Sequence, residues 1–171
     1  NIRNEIWRQI DSFAGYAFCK AHSASFALVS YRAAYLKAHY PAEFMAAVLT
    51  NEGGFYDACA YVEEARRLGV TILPPHINHS RYEFFAERLD AIRIGLMQVR
   101  GLSRIVIDRT MRIRKERMFE SVHDFLARIT PDLPEVETLI HCGALDGLGP
   151  SRPALTAVRR LSPPPSPGEG I

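Results

Sequence analysis

The sequence predicts a mainly α-helical protein with a helical first part, a small α+β second part and a disordered C-terminal tail. Apolar residues recur at helical spacing through most of the first 73 residues. Two short runs rich in Tyr, Phe and Ile then interrupt the helical pattern, and the last ten residues are mostly Pro, Ser and Gly. We therefore expect domains at residues 1–73 and 74–161, and a tail at residues 162–171 without fixed structure.

The composition is that of a globular protein with reduced thiols. Of the 171 residues, 47% are apolar and 23% are charged. The three cysteines, Cys19, Cys59 and Cys142, are far apart, which argues against a disulfide framework and against a zinc site. The sequence shows no signal peptide and no apolar run of membrane-spanning length, so we expect a cytoplasmic protein with no membrane partner.

Four helices are predicted in the first part. Ser23 has the residue type of an N-cap, and Pro41 both ends one helix and suits the first turn of the next. Gly69 follows two arginines and has the position of a C-terminal helix stop. The predicted helices are residues 6–16, 23–39, 41–50 and 55–68.

The second part combines a β-hairpin with further helices. Two strands flank a predicted turn at residues 88–90. Helical character returns after them but is interrupted at Gly101, and Ser121 and Gly143 mark the limits of later helices. The predicted strands are residues 81–87 and 91–96, and the predicted helices are residues 96–118, 121–129, 134–142 and 154–161.

A first group of cationic side chains lies near the start of the long second helix. Lys20 and His22 just precede that helix, whose N-terminal N–H groups and dipole favour an anion. Arg32 follows His22 by about three helical turns, so the two can share a face. Two interpretations remain open: a phosphate site, or a solvated Lys20 beside a His22 that caps the helix.

A second group of cationic side chains is concentrated in residues 97–118. This segment holds seven basic and two acidic residues, whereas the net charge of the whole chain is +2. Such a concentration is typical of a nucleic-acid contact, although a solvated helix face is the simpler alternative. Within it, Gly101 is predicted to lie between two short helices, where the backbone can approach a phosphate closely.

Residue types alone predict no catalytic centre and no metal site. His76 and His79 follow a Pro pair in a loop, with no nearby Cys and no evident third ligand. Glu63 and Glu64 lie beside two arginines and resemble ordinary surface pairs. No nucleophile is spaced with a base for covalent catalysis.

Several blocks of residues stand in a distinctive order. They are YAFCKAHSASFA at residues 16–27, SYRAAYLKAHYPAEFMAA at 30–47, EARRLG at 64–69, LPP at 73–75, INHS at 77–80, IRIGL at 92–96 and LIHCGALD at 139–146. The series resembles the α subunit of bacterial replicative DNA polymerase III, a C-family DNA polymerase. The resemblance covers residues 6–158.

This resemblance implies a fingers region followed by a helix-hairpin-helix-like element that contacts DNA. The residues that it places near the phosphates of an incoming dNTP are Lys20 and His22, and we expect Arg32 to join them because it can share a face with His22. It places Gly101 in a hairpin that touches the DNA backbone, and Arg100 keeps the positive charge of the family pattern there. The candidate DNA-backbone residues are therefore Arg100, Gly101, Ser103 and Arg104. Two positions depart from the family pattern. Ser103 replaces a second glycine and is expected to resist a turn of positive φ, and His76 replaces an Asp, which predicts the loss of a cap or turn hydrogen bond.

The resemblance also implies what the intact polymerase does. Members of this family transfer nucleotides in DNA replication with palm-domain carboxylates that hold Mg²⁺, and the palm is expected to lie outside this sequence. The chain is therefore expected to bind no cofactor and to be inactive alone. Its implied partners are primer-template DNA, dNTP, the remaining α-subunit domains and replisome subunits. Two alternatives remain open: a stand-alone DNA-binding or scaffolding module, and a nonfunctional gene fragment.

Overall fold

The computed structural model describes residues 2–14, 20–52 and 54–149. Within these ranges it contains seven α-helices, one short 3-10 helix and three β-strands, so the predicted fold class is confirmed. The helix predicted at residues 154–161 and the predicted tail lie outside the described residues. None of the described helices is long and apolar enough to cross a membrane.

The bounds of the elements agree closely with several predicted limits. The helices are α1 (Ile2–Ala14), α2 (Lys20–His39), α3 (Pro41–Thr50), α4 (Ala58–Arg67), α5 (Arg104–Ile113), α6 (Val122–Ile129) and α7 (Leu133–His141). The strands are β1 (Thr71–Leu73), β2 (Phe85–Arg88) and β3 (Ala91–Arg93), and the 3-10 helix is Leu96–Gln98.

The chain divides into two compact units between Tyr40 and Pro41. The sequence predicted its domain boundary further on, at residues 73–74. In the structure α3 packs on β2 and β3, and α4 packs on β1, so both helices belong with the sheet. The assignment of residues 1–73 to polymerase fingers stays a prediction.

The first unit consists of exposed helices. Apolar side chains lie on every side of α2, and Phe26, Val29 and Tyr31 are 59%, 62% and 69% exposed. The prediction that Ser23 caps this helix is wrong, because α2 is already helical at Lys20. Tyr40 extends the last turn by donating its N–H to the Leu36 carbonyl at 2.8 Å. Pro41, which has no N–H to continue that pattern, then starts α3.

A three-stranded sheet lies in the second unit, with β3 in its centre. The predicted hairpin is confirmed, since β2 and β3 pair antiparallel with an irregular register between Ala86 and Arg88. Strand β1 pairs with β3 in parallel, a pairing that its short extended sequence did not predict. Ala91 and Ile92 of β3 are fully buried, which places the central strand against the core.

The second unit has two hydrophobic clusters. One lies between α3, α4 and the sheet, and its buried members are Ala42, Met45, Ala46, Ala65, Val70 and Ile92. The other joins α5, α6 and α7, and its buried members are Ile77, Val99, Val106, Phe119, Val122, Phe125, Ile129, Leu139, Ala144 and Leu145. Both clusters follow from helices with one apolar face, which is buried only when such faces meet.

A capping serine and a glycine of positive φ explain where two of the last helices begin and end. Ser121 caps α6 as predicted, because its Oγ accepts the Asp124 N–H at 3.0 Å. Gly143 follows α7 with φ 74°, a left-handed conformation that glycine adopts without strain. The predicted interruption at Gly101 is confirmed, since a turn there separates the 3-10 helix from α5, but α5 ends at Ile113 and not at residue 118.

Candidate nucleic-acid interface

Gly95 allows the chain to turn from the sheet into the 3-10 helix. A Cβ atom at this position would lie 2.4 Å from the backbone carbonyl carbon of Glu83. The N–H groups of Leu96 and Met97 donate to the carbonyls of Arg81 and Tyr82 at 2.9 and 3.0 Å. This close approach of two backbones fixes the direction in which the 3-10 helix and the turn at Gly101 leave the sheet.

The turn after the 3-10 helix is closed by a glycine of positive φ. Gly101 has φ 85°, and the adjacent Leu102 N–H donates to the Val99 carbonyl at 3.1 Å. A Cβ atom at Gly101 would meet only Thr138 Oγ1, at 3.7 Å, so the backbone conformation rather than space requires glycine here. Gly101 is exposed, which leaves the turn accessible to a large ligand.

Ser103 ends the turn at Gly101 without strain. Its φ of −71° and ψ of 149° are extended, so the expectation that serine would have to resist a positive φ is wrong. The Ser103 Oγ accepts the Val106 N–H at 3.3 Å and caps α5. A serine at this position therefore supports the helix that follows the turn.

A buried carboxylate holds the turn between the 3-10 helix and α5 against α7. Glu135 Oε1 accepts the Ser103 N–H at 2.9 Å, and Oε2 accepts the Asp132 N–H at 3.0 Å. Burial raises the pKa of Glu135, but the hydrogen bonds from Ser103 and Asp132 outweigh it, so the pKa lies below its ordinary value. The ionised carboxylate thus joins the N-terminal ends of two helices.

Three of the seven basic residues in the charged segment bind backbone carbonyls or pair with carboxylates, and Arg104 also pairs with Asp108. The Arg109 Nη1 donates to the Ile129 carbonyl at 2.7 Å, and the Arg114 Nη1 donates to the Ile77 carbonyl at 2.6 Å. Arg117 pairs with two carboxylates at 2.7 and 2.9 Å. These guanidinium groups help to hold the fold, so fewer of the segment's N–H donors are free to contact a ligand than its composition indicates.

The other basic side chains face solvent. Arg100, Arg112 and Lys115 are exposed, and among the described residues none of the three makes an ion pair. Arg104 is exposed too, with its guanidinium carbon 3.8 Å from the centroid of the Tyr82 ring and its Nε 2.9 Å from a carboxylate oxygen of α5. Stacking on an aromatic ring restricts a side chain that the sequence alone leaves mobile.

A family model described as a helix-hairpin-helix motif matches residues 69–155. The chain belongs to this helix-hairpin-helix family. The matched residues include the turn at Gly101 and the helices α5, α6 and α7. The exposed basic side chains of residues 97–118 therefore lie within the matched region.

Nearly the whole chain is similar to proteins named DNA polymerase III subunit alpha. It is 43% identical over 157 residues to DNA polymerase III subunit alpha of Xylella fastidiosa, 39% over 158 residues to that of Campylobacter jejuni, and 42% over 160 residues to that of Vibrio cholerae. These matches cover 87%, 88% and 90% of the chain but 13%, 13% and 14% of the relatives. The resemblance predicted from the sequence is confirmed, and the chain spans a small part of the length of these proteins.

The predicted nucleotide-phosphate residues lie on α2, in the first unit. Lys20 is the first residue of α2, and His22 lies in its first turn rather than ahead of the helix. The rings of His22 and Phe26 have centroids 4.4 Å apart. Arg32 is exposed and lies about 15 Å further along the axis by ideal helix geometry.

The His76 turn is structural. The prediction that His76 would cost a turn hydrogen bond is wrong, because its ring Nδ1 accepts the Asn78 N–H at 3.1 Å. Asn78 in turn donates from its side-chain amide to the Phe119 carbonyl at 2.8 Å and accepts the Phe119 N–H at 2.9 Å. Across the described ranges, no group of three or more His, Cys, Asp or Glu side chains is placed to hold a metal ion.

Sequence reasoning missed the residues that support the hairpin. The Asp-x-x-Glu spacing at residues 132–135 signals a capping box and could have identified Glu135. Its second hydrogen bond, to Ser103, joins residues 32 positions apart and has no local signal. The Tyr82 ring beneath Arg104 is another long-range contact of this kind within the helix-hairpin-helix region.

Proposed function

We propose that this chain is part of a DNA-directed DNA polymerase that acts in DNA replication. One observation carries the proposal: about 40% identity across nearly the whole chain to proteins named DNA polymerase III subunit alpha. The helix-hairpin-helix match over half of the chain supports a role in contacting DNA. The activity belongs to the intact polymerase.

The helix-hairpin-helix region is the proposed contact with the primer-template backbone. The residues proposed to contact the DNA are Arg100, Gly101, Ser103 and Arg104. The turn is exposed at Gly101, and the unpaired Arg100 lies beside it. Contacts to phosphates hold DNA in register without reading its bases, which is what a polymerase needs when it copies any sequence. Arg112 and Lys115 extend the same positive segment beyond the turn.

The helix α2 is the proposed contact with the incoming dNTP. Lys20 and His22 lie in its first turn, where N–H groups and the helix dipole attract phosphate oxygens. Arg32, about 15 Å along the helix, would bind a different part of the nucleotide or of the template. Cationic groups at these positions would align the triphosphate and neutralise its charge during phosphoryl transfer.

Metal chemistry is proposed to come from elsewhere in the polymerase. The described residues offer no cluster of three metal-binding side chains, so they do not fit the Mg²⁺ ions that such an enzyme uses. We assign no reaction step to this chain. Its proposed role is to bind and orient DNA and nucleotide, together with the remaining α-subunit domains and replisome subunits.

The DNA contact can be tested with the chain and a labelled primer-template. Fluorescence anisotropy at several salt concentrations should give an affinity that falls steeply with salt, because phosphate contacts release counterions. Arg100→Gln should lower the slope of log affinity against log salt by about one. Arg67→Gln is the matched control, since Arg67 has the same charge but lies on α4, outside the family match.

Two results would count against the proposed DNA contact. One is wild-type binding that does not respond to salt. The other is an equal loss of slope in Arg100→Gln and Arg67→Gln, which would show that overall charge, and not the hairpin, sets the affinity. Salt-dependent binding by the chain together with an intact polymerase that does not need Arg100 would favour a DNA-binding module with no part in catalysis.

A further inference from the structure

The ring of His76 has both of its nitrogens engaged in hydrogen bonds. The Nε2 atom lies 2.9 Å from the carbonyl oxygen of Asp146, and a carbonyl can only accept, so Nε2 carries the proton. The Nδ1 atom faces the N–H of Asn78 at 3.1 Å, and an N–H can only donate, so Nδ1 must be bare. The geometry therefore requires a neutral ring in a single tautomer.

The turn that His76 starts connects distant parts of the second unit. The Ile77 N–H donates to the Ala144 carbonyl at 3.0 Å, which ties the turn to the segment after α7. The buried Ser80 accepts the His76 N–H at 2.9 Å and donates its hydroxyl to the Ile94 carbonyl at 2.8 Å, next to β3. The turn thus holds the sheet to the helix-hairpin-helix region.

The charged groups around His76 mostly oppose its protonation. Burial lowers the pKa of His76, and the neighbouring His79, whose ring centroid is 4.6 Å away, lowers it further. Arg93, on β3, also lowers the pKa, whereas Asp146 raises it through its backbone carbonyl and its charge. The net direction is downward, so the ring stays neutral at neutral pH.

We propose that His76 makes this turn an acid-sensitive clasp. A proton on Nδ1 would point at the Asn78 N–H, so the ring would lose its acceptor and the turn would lose a hydrogen bond. The ring would then be a half-buried cation with His79 and Arg93 near it. The second unit would accordingly loosen at the join between β3 and the segment after α7.

The sign of the pH dependence follows from linkage. The unfolded chain takes up a proton on this histidine at about pH 6.5, whereas the folded chain takes it up at lower pH. The stability contributed by the neutral ring is therefore complete above about pH 6.5 and is lost as the pH falls through the folded pKa. The slope corresponds to the uptake of at most one proton on unfolding.

Nuclear magnetic resonance of the ¹⁵N-labelled chain tests the clasp directly. The expected result is a His76 ring protonated at Nε2 with a bare Nδ1, and a titration midpoint below that of an ordinary histidine. A ring protonated at Nδ1, or a midpoint at or above 6.5, would overturn the proposal. This measurement needs no variant, so it remains decisive even where a substituted chain does not fold.

Unfolding by urea between pH 8 and pH 5 tests the consequence. The wild-type midpoint should be constant above about pH 7.5 and should fall below about pH 6.5. His76→Asn keeps an acceptor for the Asn78 N–H without titrating, so its midpoint should depend less on pH over this range. His123→Asn is the matched control and should keep the acid sensitivity, because His123 is exposed on α6 and is not among the groups that shift the pKa of His76. Equal pH dependence in wild type and His76→Asn would overturn the proposal.

Discussion

The two units bury similar residues to very different degrees. In the first unit, Trp7, Phe26 and Tyr31 are 64%, 59% and 69% exposed. In the second unit, Phe125 and Met45 are 0% and 2% exposed. A helix that is apolar on every side is stable in water only when other surfaces cover it, whereas helices with one apolar face can close a core among themselves. The second unit thus holds its own core, whereas the described helices of the first unit leave many of their large apolar side chains exposed.

A pair of phenylalanine substitutions gives the sharpest form of this comparison. Phe125→Ala should lower the free energy of unfolding by about 3–5 kcal/mol, because it leaves a cavity in a packed cluster. Phe26→Ala, in α2, should lower it by less than about 0.5 kcal/mol, because that ring is mostly in water. Urea unfolding followed by circular dichroism measures both, and equal losses would show that the first unit has a core of its own.

A pair of glycine substitutions compares two places within the second unit. Gly95→Ala should cost about 3 kcal/mol, because its Cβ would overlap the backbone near Glu83. Gly69→Ala meets no atom within 4 Å and should cost only about 1–2 kcal/mol for its φ of 79°. Thermal unfolding of the two variants ranks them, and a larger loss in Gly69→Ala would contradict the close approach at Gly95.

Glu135 tests how the hairpin is held. Glu135→Gln should cost about 1–3 kcal/mol, since a neutral amide can accept from Ser103 or Asp132 but not serve both equally. The folded pKa of Glu135 lies below its ordinary 4.5, so its contribution is complete above about pH 4.5 and is lost as the pH falls through the folded value.

The control for that substitution is Glu137→Gln, on the same helix. Residues two apart on a helix point about 200° apart, so the two carboxylates face different surroundings. Unfolding midpoints between pH 7 and pH 3 should be less pH-dependent in Glu135→Gln than in wild type or Glu137→Gln. Identical pH profiles for all three proteins would remove the proposed role of Glu135.

The smallest expected effect concerns the first unit in the intact polymerase. His22→Ala or Lys20→Ala should raise the apparent KM for dNTP by about threefold to tenfold, as for the loss of one charge-assisted contact. Arg67→Gln serves as the charge-matched control. Steady-state primer extension measures the KM, and an unchanged value in both variants would contradict the proposed contact between α2 and the nucleotide.

Local signals in the sequence predicted much of the fold but little of the site's support. The limits of α3 and α6 and the turn at Gly143 follow from Pro41, Ser121 and glycine itself, whose effects act within a few residues. The start of α2 was missed, since a polar residue inside a helix resembles a cap. The end of the helical segment predicted to reach residue 118 was missed too, because α5 ends at Ile113. The resemblance to DNA polymerase III subunit alpha, read from ordered blocks, was confirmed by the comparisons.

The sequence by itself determined the helical class, the hairpin and the concentration of basic residues, because these depend on periodicity and composition. Only the tertiary structure decided which charges remain available. Arg109 and Arg114 bind backbone carbonyls 20 and 37 residues away, while Arg100 stays in solvent. It also decided that His76 must be neutral, because both partners of its ring come from folded backbone. Such contacts depend on packing between segments that no local pattern specifies.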